Sequence, residues 1–465
     1  MITMKTTFRC PDYLGFYIRD DKMGYLKALK WVVSIMMVVI LFTFNMEASD
    51  QKGDKPAHAK AVIQIWLWGG PSHLDTFDPK PEAGYDYCGP FNKPIKTNVP
   101  GIEINELLPN LANQADKYSI IRSMTHGITG HETAAYIMQT GHSADEKLVY
   151  PSIGAVVSLL KGYEHGYKGD IPPYVILTTA QGRFSEVGFL GSRYKPLITG
   201  GDPSKKVFAV EGFLLEGVSE NRQIARKEIL MKLDTLGKFM PEEENFQAFD
   251  ISRQKAYDII LGQTAKIFDL TTEKDDIRDR YGRSKFGQCC LVARRLIESG
   301  VLYVTINYEG WDTHNQHFET MRRKLPEMDN AVSALLQDLS DRGLIDTTII
   351  WLTGEFGRTP KISWEPPWNG GRGHYGKCFS VMVAGGGFKG GQVVGTSDEK
   401  GENLKERPVY PHDLLGSIYE LLGIDPEGTI PDPQGKQVRI LPPIEKGKGK
   451  GILREIMQRK EGKDG

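Results

Sequence analysis

Twice in this chain an amphipathic helical pattern is stopped by a glycine and runs straight into a short apolar strand. Residues 286–299 end at Gly300 and feed the run Val301 to Ile306; residues 321–342 end at Gly343 and feed Thr347 to Thr353. Glycine just past a helix supplies the left-handed residue that closes it. Strand, helix, strand alternation then demands a parallel sheet with right-handed crossovers. Apolar runs at residues 62–68, 118–121, 174–178 and 379–384 read as further strands, and residues 107–117, 133–138, 153–160 and 413–422 as further helices. A highly charged helical pattern at 221–265, interrupted by Pro241, reads as an outer layer.

The strands end in unusual residues. Gly69-Gly70-Pro71-Ser72-His73-Leu74-Asp75 follows the first run, and Trp311-Asp312-Thr313-His314-Asn315-Gln316-His317 follows the run at 301–306. Gly354-Glu355-Phe356-Gly357-Arg358-Thr359-Pro360 follows 347–353, and a loop rich in Gly, Pro and Trp delivers Gly371-Arg372-Gly373-His374-Tyr375-Gly376. Residues i and i+2 of an extended chain point to one side, so each His and Asp pair can grip one cation or one anionic group. In open α/β sheets ligands bind beyond the carboxyl ends of the strands, which is where these clusters fall.

Of ten histidines, His73, His131, His314, His317 and His374 sit in glycine-flanked motifs that also carry carboxylates or arginine. Imidazole with carboxylate suits zinc, manganese or iron; the competing reading has Asp75 and Asp312 capping the turns that follow them. Arg358 and Arg372 suit bidentate binding of phosphate, sulfate or carboxylate, with a surface ion pair as the alternative. The segment Thr125-His126-Gly127-Ile128-Thr129-Gly130-His131-Glu132-Thr133 suits a nucleophile or an anion at a helix N-terminus. Thr129 and Glu132 also match the spacing of a capping box.

The length of 465 residues, with 40% hydrophobic and 25% charged residues, allows one large domain or two modest ones. A net charge of −1 offers no long-range attraction for nucleic acid or an anionic membrane. Lys27 and Lys30 precede an uncharged stretch of 14 residues, 31–44, short for a membrane span of about 20 residues but fitting a secretory signal. The expected organisation is a signal peptide or N-terminal anchor over 1–48, with translation starting at Met23, then a polar linker over 49–60. A domain over 61–440 and a flexible basic tail over 441–465 follow. The expected location is outside the cytoplasm: periplasm, cell envelope or secreted, touching a membrane only through an uncleaved leader. Cys88, Cys289, Cys290 and Cys378 lack the spacing of a disulfide framework.

The motifs WLWGGPSHLDTFDPKP, RSMTHGITGHETAAYIMQTG, GWDTHNQHF, LTGEFGRTP and GRGHYG resemble the family catalogued as domain of unknown function 1501. Its members are mostly exported bacterial proteins in the alkaline-phosphatase-like, or sulfatase-like, superfamily. The resemblance spans residues 61–422 and implies an alkaline-phosphatase-like α/β sandwich, its central, mostly parallel sheet flanked by helices on both faces. It implies one or two divalent metals at the strand ends, and a hydroxyl or formylglycine nucleophile attacking a phosphate or sulfate ester. Carried onto this chain, Asp312 and His314 resemble the Asp and His after a central strand, spaced i, i+2 where the phosphatases have i, i+4, and His374 resembles the final metal-binding His. The first strand ends in Gly69-Gly70 where an Asp is usual, leaving His73 or Asp75 as substitutes. Glu355-Phe356-Gly357 stands where Asp-His-Gly is usual, and the nucleophile position falls on His131, with Thr133 the nearest hydroxyl. No Cys-x-Pro-x-Arg or Ser-x-Pro-x-Arg occurs, which argues against a formylglycine sulfatase.

The expected function is an exported, metal-dependent ester hydrolase with a divergent site. Asp312, His314 and His374 would hold a divalent ion, zinc before manganese or calcium, with His73 or Asp75. Glu355 would be ligand or base, and water or His131 the nucleophile, with Thr133 beside it. Arg358, Arg372, Ser72 and His317 would bind the anionic substrate. The alternative is a catalytically degenerate binding protein for an anionic glycan or envelope partner on the same scaffold.

Overall fold

The computed structural model describes residues 58–144, 148–180, 187–205, 208, 265–443 and 451–458. The leader, the linker up to residue 57 and the charged pattern at 221–264 lie outside the described residues.

Eight strands form the main sheet: β1 (Ala61–Leu67), β2 (Tyr118–Met124), β3 (Tyr174–Leu177), β4 (Leu197–Ile198), β5 (Tyr303–Tyr308), β6 (Thr348–Thr353), β7 (Phe379–Ala384) and β8 (Gln392–Val394). Their order is β8-β2-β7-β6-β1-β5-β3-β4. β1 is flanked in parallel by β5 and β6, with Ile65 level with Ile306 on one side and Leu352 on the other. β5, β3 and β4 continue the parallel set, and β8 runs parallel to β2. β7 alone among these strands is antiparallel to both neighbours, β6 and β2. Its amino end therefore lies at the edge where the carboxyl ends of the others emerge, and that reversal brings the loop before it to the same edge.

The longer helices among the described residues are α1 (His131–Thr140), α2 (Ile153–Lys161), α3 (Lys285–Glu298), α4 (His317–Asp341) and α5 (Pro411–Leu421). Side chains alternate across a strand, and β1 uses the alternation to fill two cores. Ile63, Ile65 and Leu67 join residues of α3 and α4 in one apolar cluster; Val62 and Trp66 join α1, α2 and α5 in the other. Each fully buried aliphatic side chain contributes about 1.5–3 kcal/mol, so both faces of the sheet are strongly covered. Gln64 interrupts the apolar run and is buried, its Oε1 accepting from Thr305 Oγ1 at 2.9 Å and Tyr303 OH at 3.2 Å.

Three sequence expectations change in the folded chain. Residues 107–117 form no single helix: a turn at Pro109–Ala112 and a 3-10 turn at Ala115–Lys117 replace it. Asp329 of α4 accepts from the Asn110 and Leu111 amides at 3.0 and 2.7 Å, capping the short turn from another element. α4 begins at His317, not 321, because Gln316 adopts φ +46° and donates its amide to Trp368 O at 3.2 Å. Residues 451–458 of the expected flexible tail are docked: Leu453 and Ile456 are buried, and the Lys389 and Gln458 amides bond to Ile456 O and Gly387 O.

Candidate functional site

The loops after β1, β5 and β6 meet at one edge of the sheet, and glycine makes the meeting sterically allowed. Gly69 has φ +107°, and a Cβ there would lie 2.1 Å from Asp312 N. A side chain on Gly371 would lie 1.8 Å from His314 O. The Trp311 amide donates to Trp68 O at 3.0 Å, fastening the β5 loop to the β1 loop one residue before Asp312.

Three donors converge in this edge. His131, His374 and Asp312 each offer one atom, and all lie within 4.8 Å of one another. Asp312 Oδ1 is 3.0 Å from His374 Nε2, and Asp312 Oδ2 is 3.4 Å from His131 Nε2. The far nitrogen of each imidazole fixes its tautomer. His374 Nδ1 lies 2.7 Å from Thr129 O, an acceptor, so it carries the proton. His131 Nδ1 lies 2.6 Å from Glu355 Oε1 and donates to that carboxylate. In the neutral rings both Nε2 atoms therefore present lone pairs toward the Asp312 carboxylate. Lone pairs so arranged repel unless a proton or a metal cation lies between them, and an orienting acceptor behind each imidazole is what metal-binding histidines use. Zinc–ligand bonds of about 2.0–2.2 Å put tetrahedral donors about 3.3–3.6 Å apart, and the two imidazole–carboxylate distances, one to each Asp312 oxygen, are 3.0 and 3.4 Å. The residues fit a divalent ion.

The site is held rigidly. His131 stacks on Trp68 at 5.5 Å, His374 stacks on Phe356 at 4.6 Å, and Phe356 is fully buried. Glu355, with its side chain wholly buried, also accepts from the Gly69 amide at 2.9 Å, while its Oε2 has no protein partner. His126 Nδ1 accepts from the Ile128 amide at 3.0 Å, leaving Nε2–H to donate to Glu355 O at 2.7 Å. The hydrogen bond to Glu355 raises the His131 pKa above its ordinary value against the opposing effect of burial. Asp312 stays well below the carboxylate range: burial opposes ionisation, but His374 and Arg358 overcome it. His314, about 40% exposed, reaches Asp312 Oδ1 at 3.1 Å and His374 Nε2 at 2.9 Å. It borders the three-donor group.

Other residues expected in the site have other partners. Arg358, expected to fix the anion, is fully buried; it donates to Gly69 O at 2.6 Å, Gly70 O at 3.3 Å and Arg372 O at 3.0 Å, and contacts Asp312. It pins the β1 loop beneath Asp312 and presents no open face to a ligand. His73 and Asp75, expected as substitute ligands, are not brought into the donor group. His73 Nε2 bonds to Gly401 O at 2.8 Å, and burial lowers its pKa. Asp75 pairs with Arg372 Nε at 2.8 Å and with His317 Nε2 at 2.9 Å. All three are buried, and His317 Nδ1 also meets Thr313 Oγ1 at 2.6 Å. Arg372 donates further to Tyr87 O at 2.6 Å and Thr359 O at 2.9 Å, so Arg372 and His317, expected on the substrate, tie loops together. Ser72 is buried with its Oγ 3.4 Å from the Asp75 amide. Thr133 is exposed on the first turn of α1. That helix is capped by Gly130 with no side-chain bond, so the capping box at Thr129 does not form; Thr129 serves through its carbonyl.

Residues given no role by the sequence reading complete the edge: Trp68 and Phe356 as ring supports, His126 beneath Glu355, and Trp368 beside His314 at 6.2 Å. The position of Trp68 and Phe356 in the same strand-end motifs was the available signal. His126 lay within the segment 125–133 already singled out, without a role of its own, and nothing local marks Trp368.

The fold is thus a two-faced α/β sandwich that presents a His, His, Asp donor group at its strand ends. The chain belongs to the family described as Protein of unknown function (DUF1501), whose model matches residues 59–446. No curated protein matches it in sequence. Among solved structures it is similar to a magnesium-bound mutant of TAB5 alkaline phosphatase (12% identity, 79% of this chain and 99% of that one, TM-score 0.34). It is also similar to a phosphonate monoester hydrolase from Silicibacter pomeroyi (11%, 86% and 78%, 0.36) and a sulfatase from Pseudoalteromonas sp. (14%, 78% and 68%, 0.33). These likenesses concern architecture and carry no statement about activity.

Proposed function

We propose that the protein is an exported, divalent-metal-dependent hydrolase of anionic esters, phosphate or sulfate. The observation that carries this reading is the convergence of the His131 and His374 lone pairs on Asp312, each ring held by an acceptor behind it. Two imidazoles and a carboxylate favour zinc; manganese fits next, and calcium, which takes oxygen ligands, fits least. A bound ion would supply the positive pole for an ester oxygen and would acidify water.

The need for that pole follows from the surrounding charges. Arg358 and Arg372 are enclosed by carbonyls and carboxylates, while Asp312 and Glu355 contribute negative charge. Without a cation this edge would repel an anionic ester. With one, it would attract the ester oxygens.

The protein's own groups divide the remaining work. Glu355 holds the proton of His131 Nδ1 and keeps Nε2 aimed at Asp312. Arg358 keeps the Gly69-Gly70 loop and Asp312 in contact. His131 faces the cation position, which leaves water as the nucleophile, and His314, half exposed beside Asp312, stands where a proton can pass to solvent. Export rests on the leader sequence alone.

Elemental mass spectrometry of purified protein, paired with Asp312→Asn and His374→Gln, tests the reading. About one zinc or manganese per chain, lost in both variants, together with turnover of a phosphate or sulfate monoester, is expected. Protein that neither contains nor takes up a divalent ion would sink it. Metal without turnover would leave a binding protein on this scaffold.

A further inference from the structure

The segment that precedes His374 carries an exposed tryptophan whose position the proposed chemistry does not use. Trp368 is 43% exposed, one of four large hydrophobic side chains so exposed among the described residues. Leaving an indole in water forgoes the burial that stabilises most tryptophans. Here the exposure is imposed by a well-anchored loop. The Trp368 amide donates to Glu365 O at 2.9 Å, its carbonyl accepts from Gln316 at 3.2 Å, and Gly370 and Gly371 both bond to Ser363 O.

The anchoring of this loop uses another aromatic. Trp364 lies between Tyr85, stacked at 4.9 Å, and Phe318, stacked at 5.7 Å, so one indole of the loop is spent on packing. The indole of Trp368 instead meets the imidazole of His314, tilted by 48° with centroids 6.2 Å apart. A second ring-to-ring step of 4.6 Å leads from His314 to His374. Trp368 therefore borders, through His314, the group that would hold the cation, on the side where the alcohol portion of a bound ester could extend.

We propose that Trp368 is the platform for a ring in the alcohol portion of the substrate, making the preferred substrates anionic esters of ring-bearing alcohols, either sugars or aryl alcohols. The inference rests on the ester-hydrolase reading. Flat faces stack on an indole, whose electron-rich surface attracts the polarised C–H groups of a sugar and the edges of an aryl ring alike. An acyclic ester would reach the cation position but gain nothing from Trp368.

The test uses metal-loaded full-length protein, Trp368→Ala and Trp368→Phe, and three ester types as both phosphate and sulfate: a hexose monoester, 4-nitrophenyl ester and methyl ester. Kinetics give the ratio of kcat/KM for each ring-bearing ester to that for the methyl ester. We expect that ratio to fall roughly three- to tenfold in Trp368→Ala and to be largely kept in Trp368→Phe, which retains a flat ring. Loss with the hexose alone identifies a sugar substrate; loss with the nitrophenyl ester alone identifies an aryl one. An unchanged ratio overturns the proposal, as does an unchanged ratio with altered sedimentation, which would make Trp368 a contact between protein molecules. Should the wild type turn over none of the esters, the hydrolase reading fails separately, and calorimetric binding of the same compounds decides this one. Ring-bearing ligands that bind and are weakened by Trp368→Ala support it; no binding, or binding indifferent to the substitution, overturns it.

Discussion

Replacing Arg372 with methionine separates two roles that the sequence alone leaves equal: anion binding at the surface and loop fastening in the interior. The side chain is fully buried, with Asp75 Oδ1 accepting from it at 3.2 Å, Asp75 Oδ2 ion-paired 2.8 Å from its Nε, and Tyr87, Thr359 and Pro360 supplying carbonyls. Burial pushes the Asp75 pKa upward, but Arg372, helped by His317, brings it down from 3.8 to about 2. That drop corresponds to about 2.5 kcal/mol favouring the carboxylate. Because the folded pKa is depressed, the contribution is complete above the unfolded value near 3.9 and fades as pH falls toward 2, so it is fully present at pH 7. Arg372→Met leaves Asp75 charged, buried and short of its main partner, and leaves three carbonyls without donors. Removing one member of a buried pair costs about 3–5 kcal/mol, and we expect about 4 kcal/mol. Urea denaturation at pH 7 measures it. In the double variant Asp75→Asn, Arg372→Met no charge is stranded, and at least 1 kcal/mol should return. A single-variant cost below about 1 kcal/mol, with a raised KM for an anionic ester, would refute the interior role and restore the surface one.

Other outcomes follow from individual contacts. His142 is buried against Tyr150, its ring 3.5 Å away, and burial lowers its pKa to about 4. The folded state thus excludes a proton that the unfolded state binds below about 6.5, so stability falls with acidification; His142→Gln should remove about 2.5 kcal/mol of the loss between pH 7 and 4.5, and parallel pH curves would count against this. Gly69→Ala would combine a positive φ with a Cβ 2.1 Å from Asp312 N, and we expect at least about 2 kcal/mol of destabilisation with loss of metal uptake; a normal melting curve would show that the loops are not in contact. Glu355→Gln disturbs the carboxylate that orients His131 and should weaken metal affinity about 10–100-fold. Chelator competition measures that, and unchanged affinity would exclude Glu355 from the supporting shell.

Much of the fold was legible because its signals are local. Glycine-stopped amphipathic helices before Val301 and Thr347 specified crossovers, and the apolar runs specified strands, within a few residues of β1, β5, β6 and β7. The 107–117 segment misled because its capping carboxylate, Asp329, lies more than two hundred residues away. The strand-end motifs were legible for the same reason as the strands: glycine, histidine and carboxylate clustered just past apolar runs.

The chain by itself thus determined a parallel α/β sheet with polar chemistry at its strand ends, since periodicity and turn residues act over short distances. Which polar groups meet was decided only by tertiary structure. Strand order set β1 between β5 and β6, and the reversal of β7 carried His374 to the edge that holds Asp312. The same packing drew His131 into the donor group, buried Asp75 with Arg372 and His317, and set His73 and Arg358 against backbone carbonyls. Burial makes an unpaired charge expensive, so ion pairs and backbone carbonyls hold those residues beneath the site. The carboxylate and imidazoles left at its mouth are the groups that remain open to a ligand.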